Sequence, residues 1–447
     1  MTRLGAAHPL AVAALAMAAQ TSSACAGAAK PRPAPTGPSA KPGAGGIDAE
    51  LGERPRYLVA SLRDGPLKKE LESCAGRPLR PTPFSIGHRG AALGYPEHTK
   101  ESYEAAARMG AGIIECDVTF TKDRELVCRH SQCDLHTTTN VLETPLAAKC
   151  SVPFTPEDPK TGKDASAECC TSDLTLAEFE TLCGKMDGFD PNAQTAVEYV
   201  HGPSSGAVAS GTAAVRGVTD VAKGSSAARG GATACAKVMS HAESIALIDR
   251  LGRSFAPELK APSVPTSSAG GYDPKPYVRR LVDEYTRARV APERVFLQSA
   301  NLRDLEYLRS YAPRFAQNAV YLDETVDEPA GYARAVARLP GLRARGIGTV
   351  APPLWALVTL DVEGRIAPST YAVAAKQSGL ELLTWTLERS GRLERGGGYY
   401  YQSVSPAITN DGDVYVVLDV LARRVGVRGV FSDWPATVTY YADCMGL

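Results

Sequence analysis

From residue 84 onward, short apolar runs alternate with amphipathic stretches, and that rhythm restricts the fold more than any other feature of the chain. "FSIGH" precedes "KESYEAAARMG", "GIIECDV" precedes "SHAESIALIDRLG" across a long gap, "SFAPELK" precedes "PYVRRLVDEYTRARV", and "VFLQSA" precedes "LRDLEYLRSYA". The same alternation continues through "AVYLDE", "IGTVAPP", "ELLTWTLE" and "GVFSDWP". Strand and helix patterns in strict alternation call for a parallel sheet with covering helices. These runs number eight if "ELVCRH" is set apart, and there is a physical reason to set it apart. Only the turn "TKDR" separates it from "CDVTF", whereas a parallel neighbour needs a crossover of about a dozen residues. The pair therefore reads as a hairpin, which brings His130 back towards the level of Glu115 and Asp117. The expected α/β fold is a closed (β/α)8 TIM barrel with a hairpin after strand 2 and a long cysteine-containing insertion. An open doubly wound sheet is the other architecture, but no G-x-G-x-x-G follows the first strand to support it.

Length does not contradict one barrel. A chain of 447 residues could hold two or three average domains, yet barrels with insertions reach the same size. Residues 57–447 are read here as that single domain. Two stretches interrupt its rhythm, residues 141–239 and 390–411. The first holds one helical pattern, "TLAEFETL", and a Gly/Ala/Ser-rich run over 204–234 that reads as a flexible loop. Both leave from strand ends, so they are expected over the barrel mouth; disulfide-pinned surface loops are the alternative.

The N-terminal region has a different character. Residues 1–26 carry one early Arg, an Ala/Leu/Val core and small residues around "ACA", the layout of a secretory signal peptide. Anchoring as a lipoprotein through Cys25 fits less well, because Ser22 stands where an aliphatic residue is expected. A transit peptide is disfavoured by the single Arg. Residues 27–56, rich in Pro, Gly and Ala, read as a flexible linker. No other segment has the length and apolarity of a membrane span. Cysteine use agrees with export: removing Cys25 from 11 leaves ten, an even number, with six crowded between Cys128 and Cys183. Disulfides are expected, since no repeated C-x-x-C spacing supports zinc. Lys plus Arg and Asp plus Glu both number 49, so net charge is zero and no basic block suggests nucleic acid.

Barrels of this kind collect function at the carboxyl ends of their strands. There the chain has His88 and Arg89 after the first run, Glu115 and Asp117 on the second, Glu258 and Lys260 on the third, and Trp385 near the end. Glu115 and Asp117 lie two apart on one strand, so their side chains share a face and repel unless something cationic sits between them. A hard divalent ion, Mg²⁺ or Ca²⁺, answers this with Glu258 as third ligand, because carboxylate oxygens without Cys or His suit those ions rather than zinc. The alternative is a network of salt bridges to Arg89 and Lys260, which leaves the two histidines without a task.

At this point the chain resembles the glycerophosphodiester phosphodiesterases, metal-dependent TIM barrels. The resemblance rests on "HRG" followed by "PE-T", on "IECDV" with "TKD", on a His followed by "TTT", and on "PELK", "LQS", "TWT" and "GVFSDWP" in that order. It implies that His88 and His130 are a catalytic pair, that Glu115, Asp117 and Glu258 hold the metal, and that Arg89 and Lys260 contact phosphate. Trp385 matches an aromatic position near the substrate alcohol, with packing in the barrel core as the alternative. Glu97, His98 and Gln298 would stand behind these groups, and His136 reads as loop structure. Three departures bear on tuning: "PENT" is "PEHT" with His98, the Asp after the second His is Ser131, and "TD" near the end is "SD" at Ser432 and Asp433.

The chemistry follows from the residue types. Cleaving a phosphodiester requires taking a proton from an attacking hydroxyl and returning one to the leaving alkoxide, and two histidines can do both near neutral pH. His88 is read as base and His130 as acid, with the reverse open, as is a cyclic phosphate intermediate. The expected reaction releases an alcohol and sn-glycerol 3-phosphate from a small glycerophosphodiester outside the cell. Two other functions fit less: a phospholipase D or sphingomyelinase D-like enzyme, which needs an apolar rim neither insertion displays, and a non-catalytic cell-surface module, which would have lost a ligand or a His. Oligomeric state is not readable.

Overall fold

Eight parallel strands close on themselves: β1 (Thr82–Gly87), β2 (Ala111–Phe120), β3 (Ser254–Leu259), β4 (Gln298–Ser299), β5 (Val320–Leu322), β6 (Thr349–Ala351), β7 (Glu381–Leu387) and β8 (Gly429–Ser432). Each pairs with its neighbour in chain order, and β1 completes the ring by pairing with both β2 and β8. These are the eight runs of the sequence. The computed structural model describes residues 52–77, 80–202, 235–264 and 273–447, all within the unit 47–447. The expected signal peptide, the linker up to residue 51 and the run 204–234 lie outside the described residues.

Residues Leu126–Cys128 fold back antiparallel on β2, with Val118 opposite Cys128 and Phe120 opposite Leu126. The hairpin thus forms where the short turn required it. Inside the ring, Ile86, Ile113, Ala256, Val320, Ala351 and Phe431 pack together, and a larger apolar layer lies between strands and helices. Parallel strands buried on both faces need such continuous apolar runs, which explains why they were conspicuous in the sequence.

A helix follows each strand, among them Lys100–Arg108 after β1, Pro274–Arg287 after β3 and Pro435–Met445 after β8. Their starts are chemically marked: Thr99 accepts from the Ser102 amide, and Ser240 with Glu243 forms a reciprocal capping box at the helix after β2. Among the described residues no helix is long and apolar enough to cross a membrane.

Ordered structure begins earlier than composition suggested. A helix spans Arg54–Ser61, its first three residues in the stretch 27–56 read as linker, because Arg54 is buried and ion-paired to buried Glu388. A disulfide, Cys74–Cys444, then ties this N-terminal region to the last helix. The other bridges are Cys116–Cys128, Cys133–Cys170, Cys150–Cys169 and Cys183–Cys235, so all ten cysteines after Cys25 are paired. The helical pattern "TLAEFETL" shortens to Leu176–Phe179, since the chain on either side is held by bridges. Between Ser131 and Ser240 the chain packs a satellite core around Phe179 and Tyr199. The second insertion is a series of single turns, Leu393–Arg395, Tyr399–Tyr401 and Ser405–Ala407.

Candidate active site

The strand ends bring charged groups together at one mouth of the ring. After β1 the chain turns sharply, with Arg89 at φ 54°, and the His88 amide donates to Ser432 on β8. This places the His88 ring beside Asp433, Nδ1 to Oδ1 at 2.5 Å. Its other nitrogen, Nε2, lies 3.8 Å from Glu115 Oε2. The pleat sets Glu115 and Asp117 on one face of β2, and the β2–β3 register places Asp117 opposite Glu258. One oxygen from each of the three carboxylates lies within 4.8 Å of the others, and all three residues are buried.

Each acid has different neighbours. Glu115 accepts from the Arg89 amide at 3.0 Å and from Gln298 Nε2 at 2.7 Å. Asp117 Oδ2 meets His98 Nε2 at 3.0 Å, while its Oδ1 is buried without a hydrogen-bond partner. Glu258 pairs with Lys260 at 2.7 Å. Arg89 grips Glu97 with one nitrogen, at 3.0 and 3.2 Å, and its Nε approaches Asp117 at 3.5 Å. An orphaned carboxylate oxygen beside two more carboxylates is a donor set that fits a hard divalent cation.

Electrostatics agree with that picture. Burial, then the neighbouring Asp117 and Glu258 charges, push Glu115 well above the ordinary carboxylate range. Burial likewise raises Glu258, to about 8, despite Lys260. Burial acts on Asp117 in the same sense, but His98, Lys260 and Arg89 override it and hold this acid well below its usual value. Burial and the charge of Arg89, against the pull of Asp433, lower His88 to about 4. His130 is lowered as well, by burial and then by Arg89 and Lys260. Both rings are neutral near pH 7.

His130, two residues beyond the hairpin arm, joins His88, Glu115, Asp117 and Glu258 in lining one cavity of about 310 Å³. Arg89, Lys260, Gln298 and Trp385 line it too, Trp385 being fixed by its Nε1 donating to Ala351 O at 2.9 Å. The two remaining residues singled out in the sequence stand behind this set. Glu97 faces an adjoining cavity of about 330 Å³. His98, fully buried at φ 56°, bridges Asp117 and the Tyr103 hydroxyl, each at 3.0 Å; Asn and His are among the residues that tolerate this left-handed backbone. His136 accepts from the Cys169 amide at 3.4 Å within the insertion.

Sequence reasoning missed several polar residues at or beside this cavity, among them Asp433, Arg389, Asp187 and Tyr400. Asp433 entered only as part of an altered "SD" motif, yet it orients His88 and accepts from Arg389 at 2.9 Å. Both Asp433 and Arg389 sit just past the ends of β8 and β7, so the strand-end rule that found the others would have found them. Asp187 and Tyr400, each lining both cavities, come from the two insertions, where no periodic pattern marks a position.

Comparison with known proteins places this geometry in a family. The model of the glycerophosphoryl diester phosphodiesterase family matches residues 88–437. An extracellular protein from Arthroderma benhamiae is 43% identical over 265 residues, 59% of this chain and 100% of that protein. A glycerophosphodiester phosphodiesterase from Bacillus subtilis (strain 168) is 46% identical over 57 residues, 13% of this chain and 19% of that protein. In fold, the chain resembles the solved structure of a candidate glycerophosphoryl diester phosphodiesterase from Silicibacter pomeroyi DSS-3, with a TM-score of 0.50 at 19% identity, covering 85% of this chain and 98% of that one. A match over most of the barrel, on a closed ring with its ionisable groups at one mouth, makes the chain an enzyme of the glycerophosphoryl diester phosphodiesterase family.

Proposed function

We propose that the protein hydrolyses small glycerophosphodiesters to an alcohol and sn-glycerol 3-phosphate, acting outside the cytoplasm with one divalent cation, Ca²⁺ or Mg²⁺. The observation that carries this reading is the convergence of His88 and His130, of Arg89 and Lys260, and of Glu115, Asp117 and Glu258 on one cavity. Glu115, Asp117 and Glu258 would hold the cation, which when bound offsets charge on the phosphate oxygens. Arg89 and Lys260 would orient the phosphate from the protein side. With Nδ1 committed to Asp433, His88 presents Nε2 as the base that takes the proton of the attacking hydroxyl, whether that belongs to water or to the substrate's glycerol. His130 starts neutral, depressed by burial and by Arg89 and Lys260. A phosphate arriving between those two cations counters their effect, so His130 gains the proton it must give to the leaving alkoxide.

Support for export comes from five disulfides and from the relative named as an extracellular protein. The test is release of glycerol 3-phosphate from glycerophosphocholine by the purified chain, with EDTA, then Ca²⁺ or Mg²⁺, and with His88→Ala and His130→Ala. Metal-restored release that either substitution abolishes is expected. Release that survives both substitutions would overturn the roles, and no release from folded protein with either metal would overturn the reaction.

A further inference from the structure

We propose that the wall formed by Trp385, Tyr400 and Asp187 selects glycerophosphodiesters whose alcohol carries a positively charged amine. This rests on the hydrolase reading above and goes on to name the leaving group. The groups suited to phosphate, Arg89 and Lys260, are held against the acids of the proposed cation site, Arg89 Nε 3.5 Å from Asp117 and Lys260 Nζ 2.7 Å from Glu258, whereas Trp385, Tyr400 and Asp187 line the cavity half-buried. With Leu322, Glu324, Arg389 and Phe431 they belong to the part of the lining left for the alcohol.

The chemistry of that wall favours a cation. The Trp385 and Tyr400 rings lie at 80° with centroids 6.2 Å apart, two perpendicular faces of the sort that surround an ammonium group. Asp187 adds a carboxylate, and with Tyr400 and Arg389 it lies at the junction with the neighbouring cavity. Arg389 alone opposes a cation there, but it has Asp433 at 2.9 Å and Glu97 at 3.6 Å. In the adjoining cavity Glu388 is paired with Arg54 and Glu97 with Arg89, so the charge offered to an alcohol at the junction comes from Asp187. The three selecting residues come from β7 and from both insertions, which gives the insertions a task the barrel cannot perform.

The test compares kcat/KM for glycerophosphocholine, for its uncharged tert-butyl isostere and for glycerophosphoglycerol, with glycerol 3-phosphate as readout. The charged ester is expected to exceed its isostere by about tenfold, the order that a desolvated cation on an aromatic face supplies. Asp187→Asn and Tyr400→Leu should each reduce that ratio several-fold, while Tyr400→Phe retains it, and melting curves check that the variants fold. Equal rates for the charged ester and its isostere, with both hydrolysed, would overturn the selectivity alone. Release from none of the three esters would overturn the hydrolase reading and the selectivity with it.

Discussion

The barrel and the segment between Ser131 and Ser240 contribute to the wall of one cavity by different physical means. In the barrel, main-chain pairing sets the geometry: the β2–β3 register alone puts Asp117 beside Glu258. The insertion has strands of two to four residues and helices of four or five, too little regular structure to fix a side chain. Three disulfides hold it instead, around a core far smaller than that of the barrel. A segment that buries little apolar surface needs covalent staples, as small secreted domains do. The difference teaches where each kind of residue can be sought: chemistry at strand ends, and part of the proposed selectivity, through Asp187, in the stapled segment.

The sharpest way to break this comparison is Asp433→Asn. If strand-end geometry carries the reaction, loss of the carboxylate that fixes the His88 tautomer should lower kcat by roughly 10³-fold or more. Melting temperature should fall as well, because Asp433 is buried and paired with Arg389, so the rate is compared on protein shown to be folded at the assay temperature. A rate within a factor of ten of the unsubstituted enzyme would mean that His88 is oriented by something else.

Next in size is the N-terminal helix. Arg54→Ala leaves Glu388 buried without its partner, at a cost of about 3–5 kcal/mol in unfolding free energy. The double substitution Arg54→Ala with Glu388→Gln should recover part of that loss, since no unpaired charge remains. Urea titration distinguishes the two. Equal loss in the single and double variants would show that packing, not charge, anchors the helix.

These examples also mark what could be read in advance. The eight strands were legible because both faces of each are buried, so apolar residues run almost continuously, and the hairpin arm was legible because four residues cannot cross a barrel. Of the eleven residues expected at the site from strand ends and motifs, nine line one cavity and Glu97 and His98 stand behind it. Arg54 was hidden in a stretch of linker-like composition, since nothing local signals that its partner lies at Glu388, 334 positions later. Disulfide pairing was closed for the same reason: Cys116 bridges to Cys128 along a hairpin, but Cys74 reaches Cys444. Asp187 depends on how a disulfide-stapled segment folds over the mouth and Tyr400 on a series of single turns, and no periodicity records either.

A smaller effect is expected from the staples themselves. Replacing Cys150 and Cys169 by Ser opens a bridge that spans 19 positions, worth about 3 kcal/mol in a chain-entropy account. The loss should be confined to the insertion. Hydrogen exchange should rise between Ser131 and Gly202 while β2 and β3 stay protected, and the preference for a charged alcohol should fall more than the rate on glycerophosphoglycerol. Equal deprotection of β2 would mean that the two regions fold as one unit and that the contrast drawn above is wrong.

The smallest expected signal concerns the three carboxylates and pH. Glu258 rises to about 8 in the metal-free protein, chiefly through burial. A raised folded value means that its contribution to stability is complete below the unfolded value near 4.5 and is lost as pH climbs through about 8. Between about pH 7.5 and 8.5 the histidines interfere little, because His88 and His130 are lowered in the folded protein and the unfolded imidazoles, with a value of 6.5, have by then lost most of their protons. Metal-free protein should therefore lose at most about 1.4 kcal/mol through Glu258 across that window, with Glu115, also raised, acting in the same direction, and Glu258→Gln should reduce the slope. Adding Ca²⁺ or Mg²⁺ should reverse it, since deprotonated carboxylates bind the cation best and metal-induced stabilisation then grows towards pH 8. The barrel mouth would then carry its instability as a consequence of its chemistry, whereas the insertion, whose acids lie outside this cluster, should show no metal-dependent change in hydrogen exchange over the same range.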